Sequence, residues 1–482
     1  MVTPEVRAKY LPTIGIECHV QLKTKTKLFS GANNDAREAE PNTTVSPICF
    51  GLPGTLPVLN EQAVQLAIRA GLALHSDIAP LSRFERKHYF YPDLPKGYQI
   101  TQLAEPTIGK GVVKITTSDG EVVSVRIHHA HIEEDAGKLT HPAGVDYTLV
   151  DLNRAGTPLI EIVSEPDMHT SEEAKLFAQE LYLLMTYADV TYGDLYHGNM
   201  RFDVNVSVAK EGEPLGTRTE TKNLNSFKAV ERAVEFEVER QIALLEKGEK
   251  IVQETRGWNE DRQQTFSQRS KEDAHDYRYF PDADLPPVRI TPEEVEAVKK
   301  VMPRLPDAYR EVFAKLGLDY SVVDALLANR ANAELVCQLQ TESGDAVATR
   351  VAHWLSSVLS TVTDAVLLSN LDKPRLVELA DMVEKNELSS TAAKEVLLEL
   401  LTDSRSPRVI AEAKNLLQMS DEGAIAAIVD EVLADPANSQ AVADIRAGNE
   451  RVIGFLVGQI MKRSAGKANP ALAQKLIKER LI

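Results

Sequence analysis

With 482 residues, 43% hydrophobic and 26% charged, the chain has the makeup of a globular protein and length enough for two to four cores. Its formal net charge of −17 excludes adhesion to nucleic acid through bulk charge, because phosphate binding rests on Lys and Arg and on counterion release. No apolar run of about eighteen residues and no apolar segment behind a basic start occurs, and three widely spaced cysteines (Cys18, Cys49, Cys337) fit a reducing compartment, so a cytoplasmic protein without a membrane partner is expected.

The first informative segment is IGIECHVQL, where Glu17 and His19 stand two residues apart and project to one side of an extended chain. Cys18 and His19 point to opposite sides, which removes them as a nucleophilic pair. Next, Arg83 to Ile100 sets Arg86, Lys87, His88 and Lys96 among Tyr89, Phe90, Tyr91 and Tyr98. Such interleaving suits a polyanion that carries a base, a nucleotide or an RNA end, and equally suits a loop whose rings fill the core. The text LAEPTIGKG lacks the first glycine and the final Ser or Thr of a Walker A loop, so any ATP binds without one.

Short β-branched runs then follow at 112–117, 121–128, 147–152, 159–164 and 202–208, separated by Gly and Pro, and predict a large mixed or antiparallel sheet in an α+β domain. Within that stretch carboxylates occupy positions of sheet core. Glu133 and Asp135 share one face of the strand, Ile132 and Glu134 the other, and Glu161 lies between Ile160 and Ile162. Oxygen ligands with one imidazole suit Mg²⁺ or Mn²⁺, with ATP phosphates completing the shell, whereas zinc favours more sulfur and nitrogen. Thr170 and Glu173 predict a capping box before the helical spacing of Ala174, Phe177, Ala178, Leu181, Leu184 and Met185. In TKNLNSF, Lys222, Asn223 and Asn225 offer phosphate donors at the start of a helix over 226–247, or simply cap it.

At Thr291-Pro292-Glu293-Glu294 the signals of a helix start coincide, and beyond it helical periods dominate. A polar break at 403–407 suggests a further boundary, which gives three domains: 1–292, 293–404 and 405–482. Despite the acidic whole, 446–482 holds eight Lys and Arg against two Glu.

Taken together, GIECHVQLKTKTKLFS, NTTVSPICFGLPGTLPVLN, RKHYFYPDLPKGYQI, HIEEDAGK, DLNRAGTPLIEIVSEPD, TKNLNSF, QETRGW and DYRYFPDADLPP resemble the B subunits of aspartyl/glutamyl-tRNA amidotransferases, in consistent order over most of residues 14 to 287. The resemblance implies a cradle domain related to glutamine synthetase followed by two all-α domains. It further implies a complex with an amidase (glutaminase) A subunit and a small C subunit. In that family Glu on tRNA-Gln or Asp on tRNA-Asn is phosphorylated with ATP and then amidated with ammonia from glutamine. Carried over by motif, His19, Glu134 and Glu161 are the expected metal ligands, with Glu17 and Glu133 as neighbouring catalytic acids. Arg86, Lys87, His88, Tyr89, Tyr91, Lys96, Lys222, Asn223 and Asn225 are expected at ATP or the tRNA end, and Lys462, Arg463, Lys467, Lys475 and Lys478 at the tRNA body. Many relatives build a zinc site from four cysteines; here Ser30, Ala32, Ser46 and Cys49 stand at those places, so no zinc is expected. Two other readings use the same residues: a stand-alone metal-dependent phosphotransferase acting on a small carboxylate, and a non-catalytic tRNA-binding scaffold. Turnover of free glutamate marks the first, and tRNA binding without ATP consumption the second.

Overall fold

The structure, a computed structural model, describes residues 2–270, 276–359, 371–418, 422–464 and 466–481. It divides into two compact units, Met1–Pro306 and Asp307–Ile482.

The first unit is built on eight strands: β1 (Tyr10–Gln21), β2 (Gly111–Thr116), β3 (Val122–Glu134), β4 (Pro158–Ser164), β5 (Met200–Lys210), β6 (Thr219–Leu224), β7 (Glu254–Asn259) and β8 (Gln264–Ser270). They form one sheet in the order β8-β7-β6-β5-β1-β4-β3-β2, antiparallel except for the β6–β7 pair. Alternation along the strands separates two faces. Ile14, Ile16, Cys18 and Val20 of β1, Ile160 and Ile162 of β4, and Phe202, Val204 and Val206 of β5 are buried in one core. Helices α1 (Glu61–Ala73), α2 (Ser171–Tyr187) and α3 (Phe227–Glu246) cover that face. The opposite face carries the charged residues.

Strand β3 runs six residues beyond its expected end at position 128, directly through the carboxylates. Its register on β4 slips between Ile127 and His129, a bulge at His128 that exchanges the two faces. Before the slip Val125 and Ile127 enter the core; after it Ala130 and Ile132 do, so that His129, His131 and Glu133 turn to the charged side. The expected run at 147–152 shortens to Leu149–Asp151 and pairs only with Lys138–Thr140, outside the main sheet.

Helix starts follow the capping signals closely. Thr170 Oγ1 accepts from Glu173 N at 3.1 Å, yet the Glu173 carboxylate reaches back to His169 N (2.7 Å) instead of completing a box on Thr170. Ser226 caps α3 through Ala229 N (3.0 Å). At Thr291 the full reciprocal box opens α4 (Pro292–Lys300). That helix packs on α1, with Val298 in the core and Met302 and Leu305 against it, so the first unit extends to Pro306 rather than ending at 292.

Helix α3 also buries a charge. Glu237, fully shielded, accepts from Thr219 Oγ1 (2.9 Å) and Arg240 (2.7 Å) and lies 2.9 Å from Arg256 Nε. Burial disfavours its ionised form, but Arg240, Thr265 and Arg256 outweigh this and hold its pKa below the ordinary range. A depressed carboxylate pKa stabilises the fold above the unfolded value and loses that contribution as pH falls through the folded one. Glu237→Gln is expected to cost roughly 3–5 kcal/mol near neutral pH, by leaving Arg240 without a counter-charge and Arg256 with only that of Glu254. Urea unfolding at pH 7 and pH 4 measures it: the gap between wild type and variant narrows at the lower pH.

The second unit contains helices and no strands among its described residues, as expected. Pro407–Ala413 packs on Lys373–Glu384 and Ser390–Leu400, and Arg375 donates to Asp403 O (2.8 Å), so packing crosses the polar break at 403–407. A separate core joins Glu422–Ala434, Ser439–Arg446, Ile453–Arg463 and Pro470–Leu481 through Ile425, Val429, Leu456, Ile460 and Leu476.

Candidate active site

Four strands place a row of charged groups across the open face: His131 of β3 is opposite Glu161 of β4, which is opposite His19 of β1, which is opposite Arg201 of β5. His19 Nε2 lies 3.4 Å from Glu161 Oε2 and 3.8 Å from Glu133 Oε1; His131 Nε2 lies 3.5 Å and 3.6 Å from the same two carboxylates. His19, Glu133 and Glu161 each direct a ligand atom to one place, all within 4.8 Å of one another. One row further, Glu17 faces Asp203 and, with Glu220, forms a second such group. There Lys222 Nζ is 3.1 Å from both Asp203 and Glu220, and Asn205 donates to Glu17 Oε1 (3.0 Å). Where β6 shifts register on β5, Asn223 takes a φ of 60° and donates its N–H to Asp203 Oδ1 (2.8 Å).

These groups tune one another. Burial opposes a charge on His19, but hydrogen bonding to Glu161 and the fields of Glu161, Asp203 and Glu133 push its pKa up to about 9. Burial likewise opposes ionisation of Glu161, and His131, His19 and Lys87 overcome it, holding this carboxylate well below its usual range. Glu17 moves the other way: burial first, then Glu161, Glu220 and Asp203, raise its pKa. His129, stacked on His131 at 5.2 Å, is lowered to about 4 by burial and by its two histidine neighbours.

A cavity of about 750 Å³ lies over this floor. Of the residues expected at ATP or the tRNA end, Lys87, Tyr89, Lys222 and Asn223 line it. The Lys87 ammonium sits 5.0 Å from the Tyr277 ring and 5.9 Å from that of Tyr89. The others are placed elsewhere. Arg86 is bound to Asp282 (2.7 Å) and Asp284 (2.9 Å) and lies over Tyr98; His88 stacks on Phe280 with Nδ1 near the Tyr277 and Arg278 carbonyls. Tyr91 is half exposed with its ring edge-on to Tyr89, and Asn225 is exposed just before the Ser226 cap.

The expected ligand Glu134 is not brought to His19 and Glu161. Strand alternation turns it to the opposite side, where it is buried, paired with Lys96 and accepting from Ile100 N (2.9 Å), and Glu133 instead stands with His19 and Glu161 among the groups that could hold an ion. The site also contains His131, Arg201 and Asp203, which are not among the residues expected from the sequence. His129, His131 and Glu133 at successive alternate positions are the signal that points to His131. Among Ser30, Ala32, Ser46 and Cys49, Cys49 Sγ is 3.4 Å from Nζ of the buried Lys27 and 3.3 Å from Ser46 Oγ.

A sheet whose open face gathers imidazole and carboxylate donors beneath a cation-lined cavity is the floor of an enzyme active site. Residues 12–296 match the family model described as the GatB/GatE catalytic domain, and residues 334–481 the one described as the GatB domain. The chain belongs to the GatB/GatE family. It is similar to the B subunit of the aspartyl/glutamyl-tRNA(Asn/Gln) amidotransferase of Alcanivorax borkumensis, 50% identical over 480 residues that cover 97% of this chain and 98% of the relative. The proteins of the same name from Persephonella marina (45% over 478 residues; 98% and 100%) and Synechococcus sp. strain JA-3-3Ab (45% over 493; 100% and 99%) are similar throughout as well.

Proposed function

We propose that the chain is the subunit of a tRNA-dependent amidotransferase that uses ATP to phosphorylate the side-chain carboxylate of Glu on tRNA-Gln, Asp on tRNA-Asn, or both, and then replaces the phosphate with ammonia. The products are Gln-tRNA-Gln and Asn-tRNA-Asn. The observation that carries this reading is the convergence of His19, Glu133 and Glu161 beside a cation-lined cavity in a chain of this family. A carboxylate is a poor acyl donor until it is phosphorylated, which explains why ATP is needed. Hard oxygen donors with one imidazole fit Mg²⁺ or Mn²⁺, and such an ion, when bound there, neutralises charge on a phosphoryl group passing between two anions. Lys87 stays charged in its partly enclosed place because Glu133 and Glu161 outweigh burial, and so is set to bind phosphoryl oxygens. Glu17, with its raised pKa, is suited to take the proton that attacking ammonia must lose. Reconstituting the complex with each mischarged tRNA, ATP and glutamine, and following ADP with amidated tRNA, tests the reading. Absence of tRNA-dependent ADP formation overturns it, and turnover of free glutamate instead would favour a stand-alone phosphotransferase.

The same reading makes the first unit a cradle related to glutamine synthetase, and supplies an amidase A subunit and a small C subunit as partners in the cytoplasm. No helix among the described residues is long and apolar enough to cross a membrane. With one cysteine at the four former positions, and a lysine ammonium against it, no zinc is assigned there.

The tail is read as the grip on the tRNA body. Its basic stretch folds against acid: Arg463 pairs with Glu431 and Asp435, Arg480 with Asp430, Lys478 with Glu450 and Lys475 with Glu479. From 422 to 482 eight Lys and Arg face seven Asp and Glu. Exposed pairs are worth at most about 1 kcal/mol and can yield to phosphates, while Lys462 and Lys467 have no carboxylate partner among the described residues. A chain ending at Gln418, which spares the Pro407–Ala413 packing, is expected to raise KM for mischarged tRNA and flatten its salt dependence by roughly 0.9 in logarithmic slope per lost contact. Initial rates give the KM, and filter binding across salt concentrations gives the slope; an unchanged slope assigns recognition to the rest of the chain.

A further inference from the structure

Away from the open face, one buried cation is housed against sulfur. Lys27, on the chain that leaves β1, is 1% exposed and has no carboxylate within ion-pair distance among the described residues; Asp151 and Glu134 reach it only through their fields. Its Nζ lies 3.4 Å from Cys49 Sγ and 3.4 Å from Leu152 O. An ammonium enclosed in this way is costly unless something meets it, whereas Lys27 with Cys49 is neutral overall both as ammonium with thiolate and as amine with thiol. Burial also pushes the Lys27 amine below its ordinary range. Cys49, 7% exposed, has a second polar neighbour in Ser46 Oγ at 3.3 Å, and its N–H donates to Ser46 O (2.9 Å) to close the turn that carries both. A cavity of about 20 Å³, room for a molecule little larger than water, is lined by Lys27 and Cys49 together. Cys18 is a contrast, closed within the apolar core with burial pushing its thiol up.

We propose that Lys27 and Cys49 form a modification site, at which hydrogen peroxide joins Nζ to Sγ through a reversible sulfenamide bond. In the first step the Cys49 thiolate attacks one peroxide oxygen: the S–O bond forms, the O–O bond breaks, and hydroxide leaves and takes up the thiol proton as water. The Lys27 amine, unprotonated, then attacks the sulfenic sulfur. The N–S bond forms, the S–O bond breaks, and the hydroxyl departs as water with a proton from nitrogen. One thiol, one amine and one peroxide thus give one sulfenamide and two waters, the sulfur oxidised and the peroxide reduced by two electrons. A small thiol reverses the link: it attacks Sγ, the amine leaves with the thiol proton, and a second thiol frees Cys49 from the mixed disulfide. Both residues lie outside helices and strands, so the approach from 3.4 Å to bonding distance meets no rigid element. The bond would fasten the turn at 46–49 to the chain leaving β1.

The test treats the full reconstituted complex with a small excess of hydrogen peroxide and follows the digested chain by mass spectrometry. The expected product joins the peptides of Lys27 and Cys49, is lighter than their sum by two hydrogen atoms, and is opened by dithiothreitol. Cys49 is expected to be consumed at least about tenfold faster than Cys18. Cys49→Ser removes the link. Lys27→Met, which keeps an unbranched buried side chain, removes it as well and leaves Cys49 to gain oxygen atoms instead. If Lys27→Met does not fold, the wild-type product and its absence in Cys49→Ser decide alone. Oxygen gained at Cys49 of the wild type without a link to Lys27 overturns the proposal. So does a linked product that retains an oxygen atom, or a Cys49 no more reactive than Cys18.

Discussion

A complex carrying Glu161→Gln is expected to lose mischarged-tRNA-dependent ADP formation by on the order of 10²–10³-fold, while glutaminase activity in the amidase partner continues. Glutamine keeps the size and a hydrogen-bonding oxygen of the residue but removes its negative charge. Both His19 and His131 lie close to that charge, at 3.4 Å and 3.5 Å, and it shares the proposed ion with Glu133. Its loss leaves Glu133 as the one carboxylate that both imidazoles share and the group of possible ligands one anion short. Single-turnover assays with excess enzyme separate phosphorylation from the later amidation. Near-normal ADP formation at low Mg²⁺ would remove Glu161 from the metal site.

The second large effect is a contrast between neighbours in sequence. Glu133→Gln is expected to weaken Mg²⁺ binding by about 10–100-fold or more with the fold intact, since Glu133 belongs to the ligand group and accepts a further hydrogen bond from Thr101 (3.2 Å). Glu134→Gln is expected to spare Mg²⁺ affinity and instead cost roughly 3–5 kcal/mol of stability, because Lys96 is left buried without its counter-charge. Calorimetric Mg²⁺ titration and thermal melting, run on both variants, read the two effects apart. A Glu134→Gln protein that melts normally but binds Mg²⁺ poorly would restore Glu134 as the ligand.

Much of this arrangement is legible in the sequence because alternation is local. Glu17 with His19, and Glu161 inside its apolar run, announce their side of the strand without any knowledge of neighbours. The capping signals at Thr170, Ser226 and Thr291 likewise depend on three or four successive residues. Partnership across the chain is a different matter. That Arg86 belongs to Asp282 and Asp284, or Lys96 to Glu134, depends on segments distant in sequence, so a basic-aromatic loop reads as a ligand site when half its cations are already neutralised. The family motif points to Glu134 as the ligand, whereas Glu133 is the one that alternation sets beside His131. The charge balance of the tail is likewise set by distant partners, since Asp430, Glu431 and Asp435, which pair with its Arg463 and Arg480, precede it in the chain.

The slip at His128 means that β3 is read in two phases. Upstream, odd-numbered positions such as Val125 and Ile127 are interior; downstream, odd-numbered positions such as His131 and Glu133 belong to the charged face. The two halves of one strand therefore answer to different constraints, helix packing on one side and chemistry on the other, and can vary independently. Deleting His128 would remove the bulge and leave both halves on their present faces, whereas closing the bulge with His128 kept in the ladder would shift everything downstream by one residue, turn Ala130 and Ile132 outward and bury Glu133.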